Sequence, residues 1–156
     1  MSKTKVVKLD PVFPDDKYLK EAADILVKGG LVIIPTETVY GIAANMADKA
    51  AAKRLYEIKK RPQDKPFSLL IDRKESVNGL VSDIPVCAYK LIDRFWPGPL
   101  TIVFNSRLGK TIGMRMPDNE IALRIVSLAE VPIVCPSSNV SGKPAPAVFP
   151  EAKRDM

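Results

Sequence analysis

Short apolar runs that alternate with amphipathic segments limit the fold of this chain more than any other feature. The apolar runs with the length of a buried strand are LVIIP (31–35), FSLLI (67–71), LTIVF (100–104) and VPIVC (131–135). Segments with helical periodicity lie around them, at 15–28, 48–60, 86–96 and 119–130. Strands that alternate with helices predict an α/β fold, a mixed sheet covered by flanking helices.

The spacing of apolar residues predicts which face of each helix is buried. The second helix is expected to begin at the N-cap Asp48 and to end near Lys59, because Pro62 disfavours its continuation. The residues predicted to face inward are Leu19, Ala22, Ala23 and Leu26 in the first helix, Ala51, Leu55 and Ile58 in the second, and Leu91, Ile92 and Phe95 in the third.

The length of 156 residues suits one domain, predicted to span 1–156. No apolar run has the length of a membrane span, and the first residues lack the apolar centre of a secretory signal. We therefore expect a cytoplasmic protein with no membrane partner. Cys87 and Cys135 are far apart in sequence, which favours buried free thiols over a disulfide.

The absence of histidine restricts the available chemistry. It excludes Ser-His and Cys-His nucleophilic pairs and most zinc sites, and no metal site is predicted. The net charge of +6 and the pI near 9.3 favour a polyanionic partner such as nucleic acid, a nucleotide or a phosphorylated substrate.

Polar segments adjoin the predicted strands and helices at four places. After LVIIP, residues Thr36, Thr38 and Tyr40 alternate as in an extended chain, which predicts that their hydroxyls point to one side and bind a small polar ligand. A turn in which Gly41 bends the backbone explains the same residues equally well. Around Arg115, an otherwise apolar stretch predicts that the guanidinium pairs with an internal Asp or with a substrate carboxylate.

The other two polar segments suit anion binding. Lys59, Lys60, Arg61 and Lys65 cluster at a helix end, where they are either solvated charges that favour the helix dipole or a phosphate clamp. The segment PSSNVSGKP (136–144) is either a Ser/Asn-rich turn or a site for phosphate or ribose. The residues alone therefore predict an anion-binding pocket in a basic α/β domain.

The motifs PTETVYG, KKRP, PGPLT, MRMPDN and SSNVSGKPAP, in this order, resemble the YrdC family of threonylcarbamoyl-adenylate synthases over residues 16–148. The resemblance implies a twisted open sheet around a basic concave cavity. It also implies an enzyme, a nucleotidyltransferase that forms threonylcarbamoyl-AMP and pyrophosphate from L-threonine, ATP with Mg²⁺, and bicarbonate or CO₂. This is the first step of N6-threonylcarbamoyladenosine (t6A) formation in tRNA, which a separate complex completes.

The resemblance also assigns roles to individual residues. Lys59 and Arg61 would be catalytic and would hold the nucleotide phosphates. Ser137 and Asn139 would line the nucleotide site, Arg115 would pair with the threonine carboxylate, and Thr36 and Tyr40 would line the threonine side. We expect Lys59→Ala and Arg61→Ala to abolish ATP turnover and leave the fold intact.

One departure from the family pattern bears on activity. Family domains continue into a Ser-Thr-Val-Val-type motif, which is absent from these 156 residues, so we expect the domain to lack its C-terminal part. The alternative function is a non-catalytic module that binds double-stranded RNA or tRNA through the basic cavity. The related domain of hydrogenase-maturation carbamoyltransferases fits less well, because those proteins carry cysteine-rich zinc modules.

Overall fold

A computed structural model describes the backbone of residues 4–154 and the side chains of residues 4–152. Its strands are β1 (Val32–Ile34), β2 (Gly41–Asn45), β3 (Leu69–Leu70), β4 (Ile102–Asn105), β5 (Thr111–Arg115) and β6 (Ile133–Val134). Its α-helices are α1 (Asp16–Val27), α2 (Lys49–Lys59), α3 (Val86–Phe95), α4 (Glu120–Ala129) and α5 (Phe149–Arg154), and Lys74–Gly79 form a 3₁₀-helix.

The strands form one open sheet in the order β1-β2-β6-β3-β5-β4. β3 and β5 are parallel, with Leu70 opposite Arg115, and the other neighbouring pairs are antiparallel. The prediction of a mixed α/β sheet with flanking helices is therefore confirmed. The predicted domain limits of 1–156 include residues 1–3 and 155–156, which lie outside the described part of the chain.

β2 is a strand that the sequence analysis placed within a polar segment. All its residues are buried, so it shows no alternation of apolar and polar side chains. Its sequence GIAAN also has only one β-branched residue, which weakens the strand signal. β5 ends at Arg115, whereas the 3₁₀-helix and α5 were not predicted.

The helices begin at the polar caps that the sequence offers. The carboxylates of Asp15 and Asp48 accept hydrogen bonds from the first turns of α1 and α2, and the amide oxygen of Asn119 does the same for α4. In α1, Leu19, Ala23 and Leu26 are buried as predicted, and Ala22 is partly buried. These residues pack against α4 on one side of the sheet.

Four residues that were predicted to be buried are exposed. In α3, Ile92 is buried as expected, but it lies on one face with Ala88, so Leu91 and Phe95 point to the exposed side. Ile58 is exposed because the inward face of α2 runs through Ala51, Leu55 and Lys59. Cys87 is exposed near the start of α3 and Cys135 is only partly buried, although both cysteines are free as predicted.

Apolar side chains cover both faces of the sheet. One cluster joins α1 and α4 to Ile34, Ala43, Leu70 and Ile133. A second joins α3 to Phe104 and Met114 through Ile92 and Trp96. Among the described residues, no helix has both the length and the apolar character needed to cross a membrane.

Candidate functional site

The polar segment between β1 and β2 is a bend that one threonine side chain stabilises. The hydroxyl of Thr36 donates to the carbonyl oxygen of Val39 at 2.6 Å and accepts from the backbone N–H groups of Thr38 and Val39, both at 3.3 Å. The prediction that Thr36, Thr38 and Tyr40 alternate along an extended chain is therefore wrong. A threonine hydroxyl that bonds its own backbone favours a turn over a strand.

This bend is attached to the segment that follows β6. The carbonyl oxygen of Tyr40 accepts from the backbone N–H of Ser138 at 2.8 Å and from its hydroxyl at 3.1 Å. The N–H of Tyr40 donates to Pro146 at 3.0 Å, and the N–H of Ile42 donates to Pro136 at 2.8 Å. The first and fourth polar segments of the sequence therefore form one unit.

Lys59 connects the basic segment to the same unit. Its ammonium donates to the carbonyl oxygen of Ser137, to the carbonyl oxygen of Asn139 at 2.5 Å and to the amide oxygen of Asn139 at 3.1 Å. The carbonyl oxygen of Lys59 in turn accepts from the N–H of Ser141 at 2.9 Å. The ammonium has three N–H donors, and each of them has a partner on the loop after β6.

The burial of Lys59 overturns one reading of the basic segment. The residue is only 3% exposed, so it is not a solvated charge at a helix end. Desolvation, and then the nearby charge of Arg61, lower the pKa of Lys59 from 10.5 to about 8. Lys60 and Lys65 are exposed, so the interpretation as solvated charges agrees with the structure for these two residues but not for Lys59.

Asn139 is buried and its side chain is fully engaged. Its amide oxygen accepts from Lys59, and its amide nitrogen donates to the carbonyl oxygens of Lys143 at 2.6 Å and Val140 at 3.2 Å. Asn139 is 5% exposed and Ser138 is completely buried. This hydrogen bonding gives the loop one fixed conformation, while Ser137 remains partly exposed.

Arg61 lies over its own loop. Its guanidinium donates from Nε to the carbonyl oxygen of Lys65 at 2.9 Å and from Nη2 to that of Pro66 at 3.2 Å. It also stacks over the ring of Phe67, 5.0 Å from the centroid. Arg61 is partly exposed, so it is a cation in contact with both the protein and the solvent.

Arg115, at the end of β5, pairs with an internal carboxylate. Its Nη2 donates to Oε1 of Glu37 at 2.7 Å and to the hydroxyl of Thr38 at 3.0 Å. The sequence predicted either an internal Asp or a substrate carboxylate as the partner of Arg115, and Glu37 was not among the predicted site residues. The isolated arginine in an apolar stretch was the signal for such a partner, and Glu37 is the only acidic residue in the segment 36–45.

The thiol of Cys135 is affected electrostatically by both cationic parts of the site. Burial raises its pKa from 9.0 to about 12, and the positive charges of Arg115 and Lys59 oppose that rise. Both cations therefore influence this one partly buried residue electrostatically, although they belong to segments that are distant in sequence. Gly41 also lies here, since a Cβ at this position would come within 2.3 Å of the sulfur.

The structure thus brings together Arg115 with the bend, and Lys59 with Ser137 and Asn139. Among the residues that the structure describes, no group of three His, Cys, Asp or Glu side chains could hold a metal ion. A cavity of about 190 Å³ lies elsewhere, between the 3₁₀-helix and α3, and its lining includes Lys74, Asn78 and Tyr89. None of the residues that line it belongs to the four polar segments.

Comparison with known proteins identifies relatives of this arrangement. The profile of the Sua5/YciO/YrdC family, described as "Telomere recombination", matches residues 24–156. A threonylcarbamoyl-AMP synthase of Pyrococcus abyssi (strain GE5 / Orsay) is 44% identical over 137 residues, which are 82% of this chain and 40% of that protein. One of Bacillus subtilis (strain 168) is 34% identical, covering 94% of this chain and 45% of that protein.

A solved structure agrees with these sequence matches. The crystal structure of P. abyssi Sua5 complexed with L-threonine superposes with a TM-score of 0.86 at 40% identity, covering 92% of this chain and 45% of that one. The chain therefore spans less than half the length of these relatives.

Proposed function

The chain belongs to the Sua5/YciO/YrdC family, and we propose that it forms threonylcarbamoyl-AMP and pyrophosphate from L-threonine, ATP and bicarbonate or CO₂. The observation that carries the proposal is that the bend in contact with Arg115 and the loop in contact with Lys59 are joined to each other, through the hydrogen bonds that Ser138 donates to the carbonyl oxygen of Tyr40. One cation lies beside the loop proposed for the nucleotide, and the other lies beside the bend proposed for the amino acid. A synthase that joins two such substrates requires both parts in one place.

Arg115 is the proposed binding group for the threonine carboxylate. Its side chain is 19% exposed, so it borders the surface while remaining in a largely desolvated position. Guanidinium groups bind carboxylates through charge-assisted hydrogen bonds, which strengthen when water is excluded. Thr36 and Tyr40 belong to the bend that also supplies Glu37 and Thr38, and they are assigned to the threonine side.

Arg61 and the loop after β6 are the proposed nucleotide site. The partly exposed guanidinium of Arg61 offers charge to the phosphates, while Ser137 and Asn139 belong to the loop that would line the nucleotide. Lys59 holds this loop through its three hydrogen bonds and adds a buried positive charge behind it. We therefore assign Lys59 to the site as the residue that fixes the loop and contributes charge to it.

The proposed reaction places negative charge on phosphate oxygens. The neutral α-amino nitrogen of threonine adds to CO₂ and loses a proton, which gives threonylcarbamate; where bicarbonate is the source, water also leaves. A carbamate oxygen then attacks the α-phosphorus of ATP, the bond to the bridging oxygen breaks, and pyrophosphate leaves with the electron pair. Fixed cations stabilise the charge that develops in such a transition state, so histidine is not required. Mg²⁺ would enter with ATP as part of the substrate.

The product has a defined role within the same proposal. Threonylcarbamoyl-AMP would pass to a separate complex that transfers the group to tRNA and forms t6A. The proposal also places the protein in the cytoplasm, where ATP and tRNA are available. It further includes contact between the basic surface of the protein and tRNA.

A direct assay tests the proposal. The protein is incubated with ATP, Mg²⁺, L-threonine and ¹³C-bicarbonate, and threonylcarbamoyl-AMP is measured by mass spectrometry together with pyrophosphate release. We expect the labelled product only when all substrates are present, none when L-serine replaces threonine, and strong loss in Arg61→Ala with no loss in the exposed control Arg94→Ala. Absence of product, together with no calorimetric binding of threonine or ATP by the folded protein, would refute the assignment.

A further inference from the structure

The Glu37–Arg115 pair contains two buried polar atoms that have no hydrogen-bond partner. These atoms are Oε2 of Glu37 and Nε of Arg115, and they are the only such side-chain atoms in the described part of the chain. Buried polar groups in proteins are nearly always hydrogen-bonded, so unpaired ones call for an explanation. Here an acceptor and a donor are left unpaired on two side chains that already contact each other.

The existing hydrogen bonds use only part of the hydrogen-bonding capacity of each side chain. Nη2 of Arg115 is fixed by Oε1 of Glu37 and by the hydroxyl of Thr38, and this arrangement alone positions the guanidinium. The second carboxylate oxygen of Glu37 does not contribute to it. The two side chains retain 17% and 19% exposure, so the pair lies at the border of the surface, and its two unpaired atoms are covered from solvent.

We propose that Glu37 binds the α-ammonium group of the amino-acid substrate, while Arg115 binds its carboxylate. The inference rests on the proposed function, because it takes threonine as the substrate. The ligand would supply a donor to Oε2 of Glu37 and an acceptor to Nε of Arg115, which satisfies both unpaired atoms at once. An α-amino acid is a small ligand that carries these two groups on one carbon atom.

The charges of the site make Glu37 the appropriate group for this role. The other charged side chains assigned to the site are Lys59, Arg61 and Arg115, all of them cations, which would repel an ammonium group. Glu37 is the only carboxylate in the segment 36–45, and its acceptor oxygen is desolvated. It therefore distinguishes an α-amino acid from a hydroxy acid that has the same carboxylate and side chain.

Ligand analogues separate this role from a purely positional one. Two-dimensional NMR of the whole chain monitors the binding of three ligands. These are L-threonine, 3-hydroxybutyrate, which lacks the amino group, and threoninol, which lacks the carboxylate. We expect Glu37→Gln to weaken threonine binding about tenfold or more and to leave 3-hydroxybutyrate binding unchanged. We expect Arg115→Gln to weaken both carboxylate ligands and to leave threoninol binding unchanged.

A carboxylate on the surface, away from the site, serves as the control. Glu21→Gln removes a carboxylate that pairs with Lys5 on the surface, and it should bind every ligand as the wild type does. Equal loss of threonine and 3-hydroxybutyrate in Glu37→Gln would show that Glu37 acts only through Arg115, and unchanged threonine binding would show that it has no role. Either result overturns the inference and leaves the proposed function standing.

The wild-type protein provides a second test in case a variant fails to fold. The unaltered chain should bind L-threonine about tenfold or more tightly than 3-hydroxybutyrate. Equal affinities would overturn the role of Glu37. If the wild-type protein binds ATP but no threonine, the proposed function and this inference both fail.

Discussion

The ammonium of Lys59 contacts both oxygens of Asn139, the carbonyl oxygen at 2.5 Å and the amide oxygen at 3.1 Å. The end of α2 is thereby fixed to the loop after β6, which lies far away in sequence. A lysine that the motif suggests as a phosphate ligand is thus also part of the structural framework of the site.

Removal of the Lys59 ammonium should destabilise the protein. Lys59→Met keeps an unbranched apolar stem but leaves three acceptor groups on the loop after β6 without their donor. We expect the free energy of unfolding to fall by about 3 kcal/mol, measured by urea denaturation, because buried unsatisfied groups cost about 1–3 kcal/mol each. Lys53→Met, at an exposed position of α2, should change it little. The expectation that Lys59→Ala leaves the fold intact holds if the free energy of unfolding of the wild-type protein exceeds this loss.

Lys59 should lose its proton at a lower pH than the other lysines. Its pKa is lowered from 10.5 to about 8, first by desolvation and then by the charge of Arg61. Between these values the unfolded chain binds more protons, so the Lys59 contribution to the free energy of unfolding should increase as pH rises from about 8 to 10.5. NMR titration of the lysine side chains should show one group with a midpoint near pH 8. Arg61→Ala should raise that midpoint, and an unchanged midpoint would exclude Arg61 as a cause.

Gly41 and Cys135 should show strong energetic coupling. A Cβ on residue 41 would lie 2.3 Å from the Cys135 sulfur, so Gly41→Ala should destabilise the protein by about 1–3 kcal/mol through overpacking. Cys135→Ala removes the sulfur, and the double variant should therefore recover most of the loss. Gly79→Ala is the control, since a Cβ there meets no atom within 4 Å. Additive effects of the two substitutions would contradict the predicted contact.

The two cysteines should differ in reactivity. Cys87 is exposed, whereas burial raises the pKa of the Cys135 thiol to about 12, and the thiolate is the reactive form. Iodoacetamide at pH 8 should therefore label Cys87 in the folded protein, and Cys135 only after unfolding in urea. Mass spectrometry of the peptides measures both. Rapid labelling of Cys135 in the native state would show that the region between Lys59 and Arg115 is open to solvent.

Local sequence patterns predicted most of the fold. The cap Asp48 and the apolar spacing of α1 agree with the structure, because these signals act within a few residues. β2 was missed because all its residues are buried and alanine is not a strong strand former. The outward position of Phe95 was missed because apolar composition does not fix the rotation of a helix that also carries Ala88 and Ile92 on its inner face.

The site was less predictable because its contacts are distant in sequence. Helix-end electrostatics favour an exposed Lys59, and only the acceptors of Ser137 and Asn139 explain why the ammonium is buried. Glu37 had no local signal of its own. The need of Arg115 for a carboxylate indicated that such a partner exists, but the sequence could not indicate which one.

The position of β6 in the sheet limits the order in which the sheet can form during synthesis. β6 is a central strand between β2 and β3, yet both of its neighbours precede it in the chain by many residues. During synthesis, β2 and β3 have no common neighbour until residues 133–134, which form β6, leave the ribosome. A nascent chain that has not reached β6 therefore has neither a continuous sheet nor the loop acceptors that bind the Lys59 ammonium.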